Sequence, residues 1–363
     1  MRIAIDVSAA DKAERTGIGK YVRSLVECLA AIDGENTYFL CHRLSRLRRW
    51  KHFLRTPKPN FRGKLLQEPF HPFFLRRLDV FHGPDARLPR FTTAKTVVTI
   101  HDVASLVSDE YADAKFRRMK IDRYRDLLDR ASCIITNSES TRRDMVRLLD
   151  APPEKVRTVP MGVPEEFRPC GPQEQAAVRS RYGLDKDFLL FVGAITRRKN
   201  IRRLLAAFRE VSKARDVVLI LAGRPGYGAA EELAPIGELG LKDRVRLLGY
   251  VAEADLPALY SSAKLFLFPS LYEGFGIPVL EAMACGTPVV TSDCSSLPEV
   301  AGGAALLVDP SDIHAIAEAV LRLLDDEPLR QDLAARGIER AKQFSWMRTA
   351  RETLEIYKSL CGT

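Results

Sequence analysis

Short apolar runs recur along the whole chain, separated by stretches in which apolar positions return every three or four residues. The first pattern predicts strands buried on both faces, and the second predicts amphipathic helices. In the first half, strands are predicted at 3–7, 38–41, 80–82, 97–101, 134–137 and 156–160, with helices at 19–32, 114–130 and 139–149. In the second half, strands are predicted at 188–192, 217–222, 245–248, 265–268, 289–292 and 305–308. Helices at 201–214, 253–262, 278–284, 312–325 and 329–344 fall between or after them. Such alternation is the pattern of βα units with parallel sheets, so the fold class is α/β.

At 363 residues the chain is longer than a single core usually grows, which makes two doubly wound domains the expectation. Periodicity lapses at 161–173, MGVPEEFRPCGPQ, where proline and glycine gather, and the join is placed there. Ligands of doubly wound sheets sit outside the carboxyl ends of the strands. Two such domains facing across a cleft would bring two substrates together.

Composition alters this picture little: 46% hydrophobic and 28% charged residues are ordinary for a soluble protein. The opening MRIAIDVS reads as a buried strand and not as a signal core. The longest apolar runs fall far short of the ~20 residues of a membrane helix. Seven scattered cysteines without a CxxC pair argue against a zinc site or a disulfide framework and fit a reducing cytoplasm.

Charge changes it more. The net charge is +9, yet residues 41–78 alone hold eleven Lys or Arg against one acid, Glu68, which leaves the rest near neutrality. Trp50, Phe53, Phe61, Phe70, Phe73 and Phe74 are interleaved with those cations. Basic clusters with aromatics suit an anionic membrane surface, where each cation contributes about 1 kcal/mol. The expected location is therefore cytoplasmic and peripheral, at the inner face of a membrane. Nucleic acid would attract the same charges but is not the expected partner.

Candidate chemistry concentrates at 268–293, FPSLYEGFGIPVLEAMACGTPVVTSD. Gly274 and Gly276 let the backbone approach a ligand, and the N–H groups of Gly276 and Ile277 at a helix start point at an anion. A diphosphate fits there. Pro278 suits the first helical position and Gly286 the left-handed position after the helix. Glu281 falls in the first turn and Glu273 before the glycines. A carboxylate accepts two hydroxyl hydrogen bonds, so each glutamate suits a vicinal diol, one on a ribose and the other on a donor sugar.

A second phosphate site follows the strand 188–192: Gly193, then Arg198 and Lys199, with Asn200 as an N-cap before a helix. A third candidate, Thr16-Gly17-Ile18-Gly19-Lys20, opens the first helix but lacks both the third glycine of GxGxxG and the GK[ST] of a P-loop. His101 ends a strongly apolar strand and is a candidate orienting or acid-base group. His82 is similarly placed at a strand end. Asp185-Lys186-Asp187 matches a metal-binding DxD but precedes a strand, so it reads as a surface turn and no metal or other cofactor is expected.

EGFGIPVLEAMACGTPVV with its E-x7-E spacing, FVGAITRRKN, TGIGKY, TIHD, TNSEST and VPMGV, which together span nearly the whole chain in family order, resemble the retaining GT-B glycosyltransferases of the family 4 group. The resemblance implies two Rossmann-like domains at 1–165 and 166–343, with 344–363 a helix crossing back onto the first. It implies transfer of a hexose, mannose favoured, from a nucleotide diphosphate sugar to a glycan or lipid-linked acceptor with retention, in surface polysaccharide or glycolipid synthesis. GDP-mannose is favoured over UDP-sugars.

By the same resemblance Glu273 contacts the donor sugar and His101 lies beside it, these two being the catalytic pair. Glu281 meets the ribose, Lys199 the diphosphate, and Tyr250-Val251 the base. Gly17, Gly19, Gly193, Arg198, Gly274, Phe275, Gly276 and Ile277 complete the donor site. One departure is Ala194, where many members carry arginine; Arg198 or Arg197 is left to supply the second cation. The alternatives are another GT-B enzyme such as a nucleotide-sugar epimerase, or a basic membrane- or nucleic-acid-binding protein with a vestigial sugar site.

Overall fold

The structure, a computed structural model, describes residues 1–11, 17–66, 76–90 and 92–362. Thr16 of the first glycine loop and Glu68, Phe70, Phe73 and Phe74 of the basic segment lie outside the described residues. The chain divides into two compact units: Met1–Leu106 with Lys115–Gly162 and Ser345–Thr363, and Val107–Ala114 with Val163–Phe344. The divisions thus fall after Gly162 and Phe344, and the short segment Val107–Ala114, which no sequence signal marked, belongs to the second unit.

The first unit is built on seven parallel strands: β1 (Arg2–Asp6), β2 (Thr37–Arg43), β3 (Phe61–Leu66), β4 (Val80–Gly83), β5 (Lys95–Ile100), β6 (Cys133–Thr136) and β7 (Val156–Thr158). Their order is β3-β2-β1-β4-β5-β6-β7. Ile3, Ile5, Val80, Val97 and Ile134 are fully buried, as continuous apolar strands between two helical layers should be. The strand β3 was not predicted, because four of its six residues are exposed at the sheet edge and its sequence, FRGKLL, carries no apolar run. The basic segment is therefore partly sheet, and it continues from β2 into a 3-10 helix, Leu44–His52.

One face of this sheet is covered by the helix Gly17–Ile32, which buries Tyr21, Val22, Leu25, Val26 and Leu29. Against it lies the final helix Trp346–Cys361, burying Ala350, Leu354 and Tyr357 in the same core. Each fully buried leucine contributes roughly 1.5–3 kcal/mol. His82 is part of this core and not of a site. Its Nδ1 meets the Tyr357 hydroxyl at 2.6 Å and its Nε2 the Thr99 hydroxyl at 2.8 Å. Burial, with the nearby His101, pushes its pKa down to about 3, so it stays neutral.

The second unit holds six parallel strands: β8 (Phe188–Val192), β9 (Val218–Ala222), β10 (Val245–Gly249), β11 (Leu265–Phe268), β12 (Val289–Ser292) and β13 (Leu306–Val308). They are ordered β10-β9-β8-β11-β12-β13. The helix Pro172–Tyr182, just beyond the lapse in periodicity, was not predicted because it buries Val178 alone and shows no apolar stripe. In each sheet the strand order reverses once, between β1 and β4 and between β8 and β11. Doubly wound sheets bind ligands outside the carboxyl ends at such a reversal.

Candidate functional site

At the reversal in the second unit, the loops after β8 and β11 meet. The loop after β8 runs from Gly193, at φ +155°, into a 3-10 turn, Arg197–Lys199. It zips onto the end of β9 and the loop after it through Gly193 N–H to Ala222 O at 2.9 Å and Ile195 N–H to Arg224 O at 2.9 Å. A Cβ on Gly223 would lie 1.8 Å from the Gly193 carbonyl oxygen, so only glycine permits that approach. The Leu271 N–H, from the loop after β11, donates to the Arg198 carbonyl at 2.8 Å.

This arrangement brings Glu273 between two cations. Lys199 Nζ donates to Oε1 at 2.5 Å and Arg198 Nη1 donates to Oε2 at 2.8 Å. Lys199 and Glu273 are each only 6% exposed, and the ammonium also lies 4.3 Å from the Phe268 ring centroid. Burial alone would raise the carboxyl's pKa; the charges and hydrogen bonds of Arg198 and Lys199 outweigh it and hold the group at about 2. Glu273 is thus a fixed carboxylate at neutral pH.

Arg197, the other cation considered, turns away to pair with Glu231 and to stack on Tyr227 at 5.6 Å. Asn200 is not the side-chain N-cap expected. It sits in the left-handed region at φ +60°, a conformation asparagine tolerates, and its Nδ2 donates to Pro269 O at 3.0 Å and Pro310 O at 2.7 Å. Its role is to pin the loop carrying Lys199 to the loop after β11.

The helix after Glu273 runs Ile277–Ala284, one residue earlier than expected, with Gly276 before it at φ +110°. Pro278 is consequently the second helical residue and Glu281 the fifth, past the first turn. A Cβ on Gly276 would approach Leu297 Cδ2 to 2.8 Å. Pro278 has no N–H and Val279 N–H closes on Gly276 O at 2.9 Å, which leaves the N–H groups of Gly276 and Ile277 for an anion. Glu281 is buried and accepts from the Tyr260 hydroxyl at 2.9 Å.

Sequence reasoning missed the residues that hold these elements. Ser296 Oγ donates to the carbonyls of Glu273 and Phe275 at 3.0 and 2.7 Å, and Ser295 Oγ accepts from Glu273 N–H at 3.1 Å. The serine pair in DCSS, directly after β12, was the available signal. Gly274 and Phe275 lie inside this tether. Tyr250, half-exposed after β10, is stacked under the Arg224 guanidinium at 4.7 Å, while Val251 is buried. Asp185 and its neighbours form an exposed turn, with Lys186 on Asp216 at 3.3 Å and Asp187 on Lys264 at 3.2 Å. Among the described residues, no group of three or more His, Cys, Asp or Glu is placed to hold a metal ion.

Gly17, Gly19 and His101 belong to the first unit. Gly17 opens the helix Gly17–Ile32 and Gly19 is buried in its first turn. His101 follows β5, where its Nε2–H donates to Pro84 O at 2.8 Å. That leaves Nδ1 as the acceptor of the Asn137 amide N–H at 2.7 Å. Burial lowers its pKa, so both ring nitrogens are engaged by a neutral imidazole whose plane is fixed. Asn137, in the TNSEST stretch, is the orienting residue that sequence reasoning did not assign. Arg43, counted with the basic segment, is bound to Asp6 and does not stand free on a surface. No helix among the described residues is long and apolar enough to cross a membrane.

Residues 173–340 match the family model described as glycosyl transferases group 1, and residues 15–167 match glycosyltransferase family 4. The O-antigen chain mannosyltransferase B of Escherichia coli is 38% identical over 285 residues, which cover 77% of this chain and 74% of that protein. A serotype-specific mannosyltransferase WbdA of Escherichia coli is 31% identical over 276 residues, 73% of this chain but 34% of its own length. This chain therefore spans about a third of WbdA. Among solved structures, sucrose-phosphate synthase from Thermosynechococcus elongatus is similar with a TM-score of 0.79 at 25% identity, over 99% of this chain and 98% of that one. HepE of Anabaena, solved in complex with UDP-glucose, gives a TM-score of 0.76 at 18% identity, over 99% of both chains. On the two family models and the 38% identity, the chain belongs to the family 4 group of GT-B glycosyltransferases.

Proposed function

We propose that the protein transfers a hexose, mannose by preference, from a nucleoside diphosphate sugar to a glycan or lipid-linked acceptor in surface polysaccharide synthesis, with retention of configuration. The observation that carries this reading is the ionised Glu273 clamped between Lys199 and Arg198, one turn before the free N–H groups of Gly276 and Ile277. The name of the Escherichia coli relative, a mannosyltransferase, supports the sugar, and a neighbour solved with UDP-glucose supports the donor class.

In this reading the donor diphosphate takes the Gly276 and Ile277 N–H groups and shares the cations of Arg198 and Lys199. Negative charge builds on it as the bond from the anomeric carbon to phosphate oxygen breaks, and donors already aimed there stabilise it. The acceptor oxygen bonds to the anomeric carbon on the face being vacated, and its proton passes to the departing phosphate oxygen. Glu273, unprotonated at neutral pH, cannot act as an acid; it accepts from sugar hydroxyls and offsets positive charge at the anomeric carbon. Glu281 accepts from the ribose, and Tyr250 offers a face to the base. His101, neutral and doubly hydrogen-bonded, orients and does not transfer protons.

Melting the protein with GDP-mannose, GDP-glucose, UDP-glucose and UDP-galactose tests the donor. A ligand at 100 times its dissociation constant adds about 2.7 kcal/mol of stability, and GDP-mannose should give the largest rise. No rise with any of them overturns the reading. For the acceptor side, the exposed Trp50, together with Arg46, Arg48 and Lys51 of the turn Leu44–His52, supports docking on an anionic membrane. Replacing those three cations by glutamine should weaken binding to phosphatidylglycerol vesicles and leave donor affinity intact.

A further inference from the structure

The first unit has its own cavity, of about 540 Å³, at the carboxyl edge of its sheet. It is lined from the ends of β1, β2 and β3, from the loop after β4 and from the helix Ala114–Arg130. That is the point at which the strand order of this sheet reverses, and the volume suits a small ligand.

Its charge is unbalanced. Arg43, Arg87, Arg123 and Arg130 line it against two acids, Asp6 and Asp126. Both acids are already engaged. Asp6 Oδ2 accepts from Arg43 Nε at 3.0 Å and Nη2 at 2.7 Å, and Asp126 takes Arg130 through both of its oxygens. The other two arginines have no hydrogen-bonded acid among the described residues. Arg87 Nε is buried without a hydrogen bond, and its one ion pair, to Asp85 Oδ2 at 3.8 Å, is loose. Arg123 makes no hydrogen bond or ion pair with any described residue. Burial, with the charges of Arg43 and Arg123 nearby, lowers the pKa of Arg87, as expected of a cation awaiting an anion.

The backbone under Arg87 is held in an uncommon shape. Ala86 lies at φ +45°, and its N–H donates to Thr99 O at 3.1 Å. A Cβ on Gly83 would fall 1.6 Å from the Arg87 carbonyl oxygen, so the loop closes tightly on the end of β4. Left-handed non-glycine residues cost of order 1–3 kcal/mol and collect where a ligand is held. A planar guanidinium fork matches the oxygens of a phosphate in two parallel hydrogen bonds.

We propose that this cavity binds a phosphate or diphosphate ester, the anionic group of the acceptor, through the Arg87 and Arg123 guanidiniums, with Arg43 and Arg130 held beside them by Asp6 and Asp126. Only the word acceptor rests on the glycosyl-transfer reading; the anion site stands on its own geometry.

The test is calorimetric titration of the full chain with mannose 6-phosphate and with mannose, alongside flotation with vesicles containing 30 mol% phosphatidic acid. The phosphate should bind and mannose should not. Arg87→Gln with Arg123→Gln should weaken the phosphate at least tenfold, while Arg198→Gln in the second unit leaves it unchanged. Loss of soluble phosphate binding in the double variant assigns a free phosphorylated sugar, and loss confined to vesicles assigns a lipid phosphate headgroup. Equal binding by the wild type and the double variant, or equal loss in Arg198→Gln, overturns the site. Arg123→Gln alone, on a half-exposed helix face, and Arg87→Lys, which keeps charge without the fork, provide folded variants with intermediate losses. GDP and UDP titrated in parallel separate the two readings: if neither binds while the phosphate still depends on Arg87, the donor assignment fails and the anion site remains.

Discussion

The two units share one plan and pair their charges differently at the same topological position. Where β8 and β11 part, a buried carboxylate is enclosed by Lys199 and Arg198, so both cations are already engaged before any ligand arrives. Where β1 and β4 part, Asp6 and Asp126 are taken by Arg43 and Arg130, and Arg87 has only a loose ion pair to Asp85 at 3.8 Å. A doubly wound sheet thus dictates where a ligand sits, while the side chains on the two flanking loops decide its charge. Under the proposed function the second site exchanges partners, a diphosphate sharing the cations that Glu273 now holds. The first is arranged to gain one.

The sharpest way to break that contrast is to remove the enclosed carboxylate. Glu273→Gln leaves the buried Lys199 ammonium uncompensated, and the second unit should lose about 3–5 kcal/mol in urea denaturation. A loss under 1 kcal/mol would show that the clamp is not what holds these loops. Acid titration probes the same pair. Because the folded pKa of Glu273 is depressed from 4.5 to about 2, its stabilisation is complete above pH 4.5 and disappears as pH falls through about 2. The amount is on the order of 3 kcal/mol. Stability followed between pH 5 and pH 2 should therefore fall less steeply in Glu273→Gln than in the wild type.

Tyr260→Phe removes the hydroxyl donated to the buried Glu281, at an expected cost of about 1–3 kcal/mol by thermal melting. In the first unit the sign should differ. Arg123→Gln relieves repulsion from Arg87 and should change stability by no more than about 0.5 kcal/mol, in the stabilising direction. A clear destabilisation there would mean that Arg123 has a structural partner and that the two sites are less different than their geometry indicates.

The glycines, Glu273, Glu281 and Lys199 were legible because their chemistry is local: a run such as EGFGIP announces a close backbone approach and a helix start within six residues. Both sheets were legible for a similar reason, since β8 and β11 are apolar throughout. What stayed hidden depends on contacts between distant stretches. Ser296 reaches back 23 residues to Glu273, Tyr260 reaches 21 to Glu281, and Asn137 reaches 36 to His101. Nothing in the residues adjacent to these three announces the partner. Asn200 misled because its type favours a cap, whereas long-range acceptors at Pro269 and Pro310 drew its amide elsewhere. Arg87 lay in a loop of ordinary composition, and only the reversal between β1 and β4 gives it meaning. The edge strand β3 was masked by the very charges that drew attention to its segment.

The final helix, packed on Gly17–Ile32, has a consequence for how the protein is made. The first unit's sheet is synthesised first, yet Leu354 and Tyr357, which seal its core, are synthesised only after the entire second unit. At about 5–20 residues per second, the face formed by Tyr21, Leu25 and Leu29 waits on the ribosome while residues 163–344 emerge and can fold ahead of it. The later-coded unit is then the earlier-folded one. A nascent chain stalled after Phe344 should accordingly show a protease-resistant second unit attached to a first unit that is still open.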